Sequence, residues 1–200
     1  MAARRAATSL KGPLGKALRA VARALSSLPA PGMLIGGMAV IARGVPRLTR
    51  DVDATVAAGE LDARGLAEEF QKHGVLPRIT DAIDFADARQ VLLLRHDASG
   101  VDVDVSLAWL PFELEAIAAA DTIDLGGVLI RVARAEDLII YKAVAFRPQD
   151  QQDIERLLTL HGKKVDLARI RRTIEAFGEA IDEPDRLAAF DRIAKAVDDG

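Results

Sequence analysis

The sequence predicts an α+β protein: a mixed β-sheet flanked by helices, followed by a helical C-terminal half. Three observations lead there. Apolar and polar residues alternate at 51–56 and 101–107, which is the period of a half-buried strand. Apolar residues recur at helical spacing at 13–27 and 60–73. From residue 135 onward the pattern is helical alone, punctuated by Pro148, Gly178 and Pro184. The expected division is an α/β core over residues 1–134 with a helical part over 135–200 packed on it.

Composition narrows the chemistry. Two hundred residues, half of them apolar, suffice for a sizeable core. No cysteine is present, so disulfides and thiolate catalysis are excluded. His73, His96 and His161 lie far apart and show no zinc spacing. A net charge of -3 exerts no general pull on nucleic acid, so an RNA contact would need a local patch, and no DNA partner is expected. No apolar run reaches the roughly 18 residues of a membrane span. The basic N-terminus, MAARRAATSLKG, is followed by no apolar signal core and is expected to be mobile. The default location is cytoplasmic.

The elements follow in order. Leu14, Ala17, Leu18, Val21 and Leu25 share one face of a helix over 13–27, and a turn over 29–32 ends it. A short strand over 33–35 precedes a helix over 38–43, which Gly44-Val45-Pro46 breaks. The strand over 51–56 leads to a helix over 60–73, with Leu61, Leu66, Ala67 and Phe70 on one face and Gly74 as its stop. Residues 77–88 read as a loop with at most a helical turn. A hairpin joins 91–95 to 101–107, with His96 in a solvated turn. Pro111 opens a helix over 111–120, beside which Trp109 and Phe112 read as core packing. A second hairpin turns at Gly126-Gly127. Helices then run over 135–146, 149–160, 167–177 (capped by Asp166, ended by Gly178) and 184–197.

The chemistry concentrates between Gly36 and Asp53. Side chains i and i+2 lie on one face of a strand, about 6.5–7 Å apart along it, so Asp51 and Asp53 point the same way. Two carboxylates held that close repel unless a cation joins them. An all-oxygen ligand pair suits Mg²⁺, which usually takes one or two carboxylates plus substrate phosphates. Upstream, Gly36 and Gly37 open a short helix and leave room for an anion to approach the backbone. Val101-Asp102-Val103-Asp104-Val105-Ser106-Leu107 puts two more aspartates on one face of a strand, opposite its valines. Taken alone, that segment reads as an ordinary edge strand with Asp out and Val in. Lys142 falls in an otherwise apolar helical stretch, an expensive place for an ammonium that meets no anion.

The pattern Gly36-Gly37, then Arg47-x-Thr49-x-Asp51-x-Asp53, resembles the signature of the DNA polymerase β-type nucleotidyltransferase superfamily. Within it, the resemblance is closest to the abortive-infection E (AbiEii-like) toxin nucleotidyltransferases, with Gly-Gly where the superfamily usually has Gly-Ser. It implies a nucleotidyltransferase-like sheet and an enzyme that moves a nucleoside monophosphate from a nucleoside triphosphate to a hydroxyl. Asp51 and Asp53 are then metal ligands for Mg²⁺ or Mn²⁺. Asp104 is the third carboxylate and the base nearest the acceptor, with Asp102 in reserve. Gly36, Gly37 and Arg47 fall at the nucleotide, where an Arg fork suits phosphate oxygens. Lys142 and Asp153 match a second, looser motif at the triphosphate, where Asp153 either touches substrate or orients Lys142 or Arg147. By the same resemblance the acceptor is tRNA or another RNA, and the partner a cognate antitoxin. A small-molecule acceptor of the aminoglycoside kind, a protein acceptor, and a catalytically inactive binding protein on the same fold are the alternatives.

Two competitors fail on local sequence. Asp51-Val52-Asp53-Ala54-Thr55 also fits the Asp-x-Asp-x-Thr of haloacid-dehalogenase-type phosphatases, but Pro46-Arg47-Leu48-Thr49-Arg50 cannot be the apolar strand that must precede it. The Gly-x-Gly-x-x-Gly of a dinucleotide fold is absent.

Overall fold

The two alternating segments form the middle of a seven-stranded mixed sheet in a computed structural model that describes residues 12–57, 59 and 61–199. The basic N-terminal stretch and Glu60 lie outside the described residues. The chain divides into two compact units. One comprises the described residues up to Ala42 with Arg47–Ala133; the other comprises Arg43–Pro46 and the described residues from Arg134 onward.

The first unit contains α1 (Pro13–Ser27), β1 (Gly32–Leu34), α2 (Gly36–Ala42), β2 (Asp51–Ala57), α3 (Ala63–Gln71), β3 (Val75–Pro77) and α4 (Ala82–Arg89). It continues with β4 (Val91–His96), β5 (Val101–Ala108), α5 (Pro111–Ala119), β6 (Asp121–Asp124) and β7 (Leu129–Val132). The strand order is β3-β4-β5-β2-β1-β7-β6. β2 and β5 are parallel neighbours, and antiparallel β1 and β4 flank them. Val52, Ala54 and Val56 of β2 and Val103, Val105 and Leu107 of β5 face the core. α1 buries Ala17, Leu18, Val21 and Leu25 of the stripe that its spacing predicts and leaves Leu14 half-buried.

Four local expectations need correction. Residues 77–88, read as a loop with at most a helical turn, hold all but the last residue of the eight-residue helix α4. That helix buries only Ala82 and Ala86, one turn apart, so no apolar stripe marks it in the sequence. α3 starts at Ala63, because Asp62 caps it by accepting a hydrogen bond from the Gly65 amide at 2.7 Å. Trp109, read as core, is 65% exposed: it follows the last residue of β5, and its amide donates to Glu113. His96, read as a solvated turn residue, is instead the last residue of β4 and buried, its Nδ1 2.7 Å from Ser99 Oγ. Burial lowers its pKa, and Lys16 lowers it further against the opposing field of Asp97.

The second unit holds α6 (Ala135–Ala145), α7 (Pro148–His161), a 3₁₀ turn (Gly162–Lys164), α8 (Leu167–Ala180) and α9 (Arg186–Asp198). Phe146, at φ 50, ends α6, and Pro148 opens α7. Asp166 caps α8 through the Arg169 amide at 2.9 Å, as its position before the apolar run predicts. Gly178 does not end α8. It is buried inside the helix, where a Cβ would stand 2.9 Å from the Glu183 carbonyl oxygen; the glycine serves close packing.

Candidate active site

The register between β2 and β5 builds the site. Asp51 stands opposite Asp102, and Asp53 opposite Asp104. Adjacent strands lie about 4.8 Å apart, and side chains of paired residues rise from the same face. Four carboxylates therefore share one face of the sheet, in two rows. The valines that alternate with them make that face unambiguous, since a slip of one residue would bury every aspartate. Asp51 is exposed, and Asp53, Asp102 and Asp104 are half-buried.

β4 extends both rows. Arg95 pairs with Asp102 across the β4–β5 ladder and meets its carboxylate, Nε to Oδ1, at 2.7 Å. Leu93 pairs with Asp104 and occupies the next place in the other row. One strand further, just past β3, the Arg78 amide donates to the Leu93 carbonyl at 3.1 Å. The Arg78 guanidinium then reaches back over Leu93 and bonds the Asp104 carboxylate. Its Nη1 also donates to the Leu94 carbonyl at 3.1 Å. The hydrogen bond to Asp104 raises the Arg78 pKa; partial burial opposes it, and the fields of Asp104, Asp102 and Asp51 add to it. One guanidinium thus lies in the field of three of the four carboxylates.

On the other side, β1 delivers the glycines. The Ile35 amide donates to the Asp53 carbonyl at 3.0 Å, and α2 starts at the next residue. Gly36 has φ +60, and a Cβ there would fall 1.9 Å from Asp53 Oδ2. A Cβ on Gly37 would fall 2.5 Å from Thr49 Oγ1 and 3.2 Å from Arg47 Cζ. Gly36 is required by both its backbone angle and the carboxylate lying over it. Thr49 Oγ1 donates to Asp51 Oδ1 at 2.6 Å, fixing the first aspartate from the loop before its own strand. Between Arg47 and Thr49, Leu48 is 91% exposed.

The structure brings Gly36, Gly37, Arg47, Asp51, Asp53 and Asp104 together in the first unit. Lys142 and Asp153 belong to the second. There the Lys142 ammonium lies 2.7 Å from Asp150 Oδ1 and 3.3 Å from Asp153 Oδ2, with both aspartates almost fully buried. Arg147 Nε adds a bond to Asp150 at 2.7 Å. Burial alone would raise the Asp150 pKa, but the hydrogen bonds from Arg147 and Lys142 outweigh it and leave the carboxyl below its ordinary value. A second cluster in this unit joins fully buried Asp137 to Arg134 at 3.0 Å and Arg169 at 2.7 Å. Sequence reasoning missed Arg78, Arg95 and Asp150. Arg95 was findable, since a hairpin over 91–107 puts it beside Asp102. Arg78 was not, because 77–88 carried no strand signal.

The donor set fits a hard divalent cation, being all carboxylate oxygen on two rigid neighbouring strands. With the side chains as they stand, no three acidic or imidazole groups among the described residues close around one point. Arg78 on Asp104, Arg95 on Asp102 and Thr49 on Asp51 turn three of the carboxylates toward partners of the protein itself.

Comparison with known proteins agrees with this geometry. Residues 92–185 match the model of the family described as "Nucleotidyl transferase of unknown function (DUF2204)". The match takes in β5 and its two aspartates but not β2. Among solved structures, the chain is similar to ANT(2'')-Ia in complex with adenylyl-2''-tobramycin: 19% identity, 82% of this chain and 95% of that one covered, TM-score 0.53. A solution structure of the antibiotic-resistance factor ANT(2'')-Ia is similar at 22% identity over 92% of this chain and 96% of that one, TM-score 0.50. A protein from H. pylori, provisionally described as a nucleotidyltransferase, is similar at 14% identity over 90% of each chain, TM-score 0.51. No curated protein matches the sequence. The fold is that of the nucleotidyltransferases.

Proposed function

We propose that the protein transfers a nucleoside monophosphate from a nucleoside triphosphate to a hydroxyl acceptor, with Asp51, Asp53 and Asp104 as its acidic centre. One observation carries the reading: the in-register pairing of Asp53 with Asp104 on parallel strands, beside a glycine whose missing side chain makes room for the Asp53 carboxylate. Asp51, Asp53 and Asp104 would hold Mg²⁺, which when bound supplies positive charge to phosphate oxygens and acidifies a coordinated hydroxyl. Asp104 accepts the acceptor's proton. The acceptor oxygen bonds to the α-phosphorus, the bond from that phosphorus to the bridging oxygen breaks, and pyrophosphate leaves. Arg47, held beside Gly37, offers its fork to the triphosphate. The protein's contribution is position and charge rather than covalent chemistry.

The resemblance to the abortive-infection toxins supports RNA, tRNA first, as acceptor, growth inhibition as the effect, and an antitoxin as partner. A small-molecule acceptor is the second reading, favoured by the fold likeness to ANT(2'')-Ia, whose reported complex holds an adenylylated tobramycin. Purified protein incubated with each of the four labelled nucleotides, Mg²⁺, and either total tRNA or tobramycin separates the two. Label on RNA that Asp53→Asn abolishes supports the first reading; label on tobramycin supports the second. No transfer to either, with wild type equal to Asp53→Asn, overturns both.

A further inference from the structure

We propose that Arg78 is a positioning residue for Asp104: it is the resident counter-cation of the third carboxylate, and a divalent ion must displace it to complete the site. The inference rests on the reading of Asp51, Asp53 and Asp104 as an acidic centre. Arg78 is not a chance surface partner. It lies just past β3, two strands from Asp104, and its own amide is fixed to Leu93, the residue paired with Asp104. Its side chain is 18% exposed and crosses β4 to reach the carboxylate. Cation and metal compete at Asp104, because a carboxylate whose Oδ1 is held by the Arg78 guanidinium has lost part of its capacity to ligate. The competition is also electrostatic, since a fixed positive charge beside the acidic rows disfavours a second cation there. Arg78 has a place to stay when Asp104 turns away, because its Nη1 is already shared with the Leu94 carbonyl. Arg95 holds Asp102 in the neighbouring row but is 52% exposed, so water screens it more. The two aspartates of β5 are thereby distinguished: Asp104 is guarded by the better-buried arginine.

The test is a Mn²⁺ titration of the full chain, following the signal of free Mn²⁺ by electron paramagnetic resonance. Arg78→Gln removes the competitor and is expected to bind Mn²⁺ about tenfold more tightly than wild type, a change of about 1.4 kcal/mol. Arg78→Lys keeps the charge on a flexible stem without the planar guanidinium and is expected to gain about threefold, so it tests the same claim should the first variant fold poorly in circular dichroism. A purely structural arginine would leave metal affinity unchanged or weaken it. Equal or weaker binding in both variants, with binding still lost in Asp53→Asn, overturns the role of Arg78 alone. Binding that is indifferent to both Asp53→Asn and Asp104→Asn overturns the acidic centre itself, and the role of Arg78 with it.

Discussion

Asp104 and Asp150 are both aspartates bonded to an arginine, yet the fold treats them in opposite ways. The Asp104 side chain keeps 36% of its exposure on an open sheet face shared with three other carboxylates. Asp150 keeps 1%, enclosed by Lys142 and Arg147 in the helical unit. Repulsion among the sheet aspartates is unrelieved by burial and invites a cation from outside. Around Asp150 and Asp153 the chain supplies Lys142 and Arg147, two cations for two carboxylates, whereas Arg78 and Arg95 meet a face of four carboxylates. The proposed ligand centre and the buried cluster therefore differ in exposure and in how fully their charge is matched, not in residue type.

The largest expected effect tests the buried side of this contrast. Lys142→Met leaves Asp150 and Asp153 in the helical unit with one cation fewer. Breaking such a buried arrangement by removing one partner costs about 3–5 kcal/mol. Urea unfolding should show that loss, with the activity of the surviving folded protein little changed. A loss below about 1 kcal/mol, with a sharply raised KM for nucleotide, would instead return Lys142 to the triphosphate, where the sequence resemblance puts it.

The exposed side is tested by chemistry rather than stability. Asp53→Asn keeps shape and hydrogen bonding but removes one charge from the sheet face. Nucleotide transfer should fall by about 10²–10³-fold, the loss typical of removing one preorganised electrostatic contact. The melting temperature should hold or rise slightly, because one repelling charge is gone. A marked fall in melting temperature would move Asp53 from the first class of aspartate to the second.

This contrast also explains what the sequence could and could not reveal. The sheet aspartates were legible because period two is local: Val52 and Ala54 against Asp51 and Asp53, and Val103 and Val105 against Asp102 and Asp104. Their convergence required only that β2 and β5 be neighbours. Lys142 was legible as an anomaly, an ammonium in an apolar helix, and Asp153 as a residue that could orient it, but its nearer partner Asp150 was not. Asp150 lies one helix later, and it approaches only because Phe146 takes a left-handed turn and Pro148 starts a new helix. Arg78 was hidden for a similar reason. A three-residue strand and a helix that buries two alanines leave no periodicity, so 77–88 read as a loop with at most a helical turn. His96 was misread because a turn signal begins after it; the strand extends one residue further and carries it onto the buried face. Gly36 and Gly37 were singled out for the room they leave, and the structure fills that room with Asp53, Thr49 and Arg47.

A smaller effect is expected at Gly36, where a methyl group would sharpen the link between backbone and carboxylate. Gly36→Ala demands a left-handed alanine, which costs about 1–2 kcal/mol, and it drives Asp53 aside. Stability should fall by about that amount in thermal melts. Activity should fall further than stability accounts for, because the displaced group is the proposed metal ligand. If Gly36→Ala loses stability yet keeps full activity, the close approach of Gly36 to Asp53 serves packing only.

The smallest effect separates the two units by pH. The fold lowers the His96 pKa below its ordinary 6.5, so the native first unit takes up that proton less readily than the unfolded chain. Stability therefore rises with pH: it is undiminished above about 6.5 and is lost as pH falls from there through the folded value. The fold lowers the Asp150 pKa below 3.8, so the helical unit keeps that stabilisation above 3.8 and loses it only as pH falls further. Between pH 7.5 and 5.5 the urea midpoint reported by Trp109, the only tryptophan and a residue of the first unit, should fall in wild type and hold more nearly constant in His96→Gln. Amide exchange across 135–198 should protect equally at both pH values, once corrected for intrinsic rates. An unchanged pH slope in His96→Gln would show that the buried imidazole is not what the first unit loses on acidification. The contrast between the units would then rest on carboxylates alone.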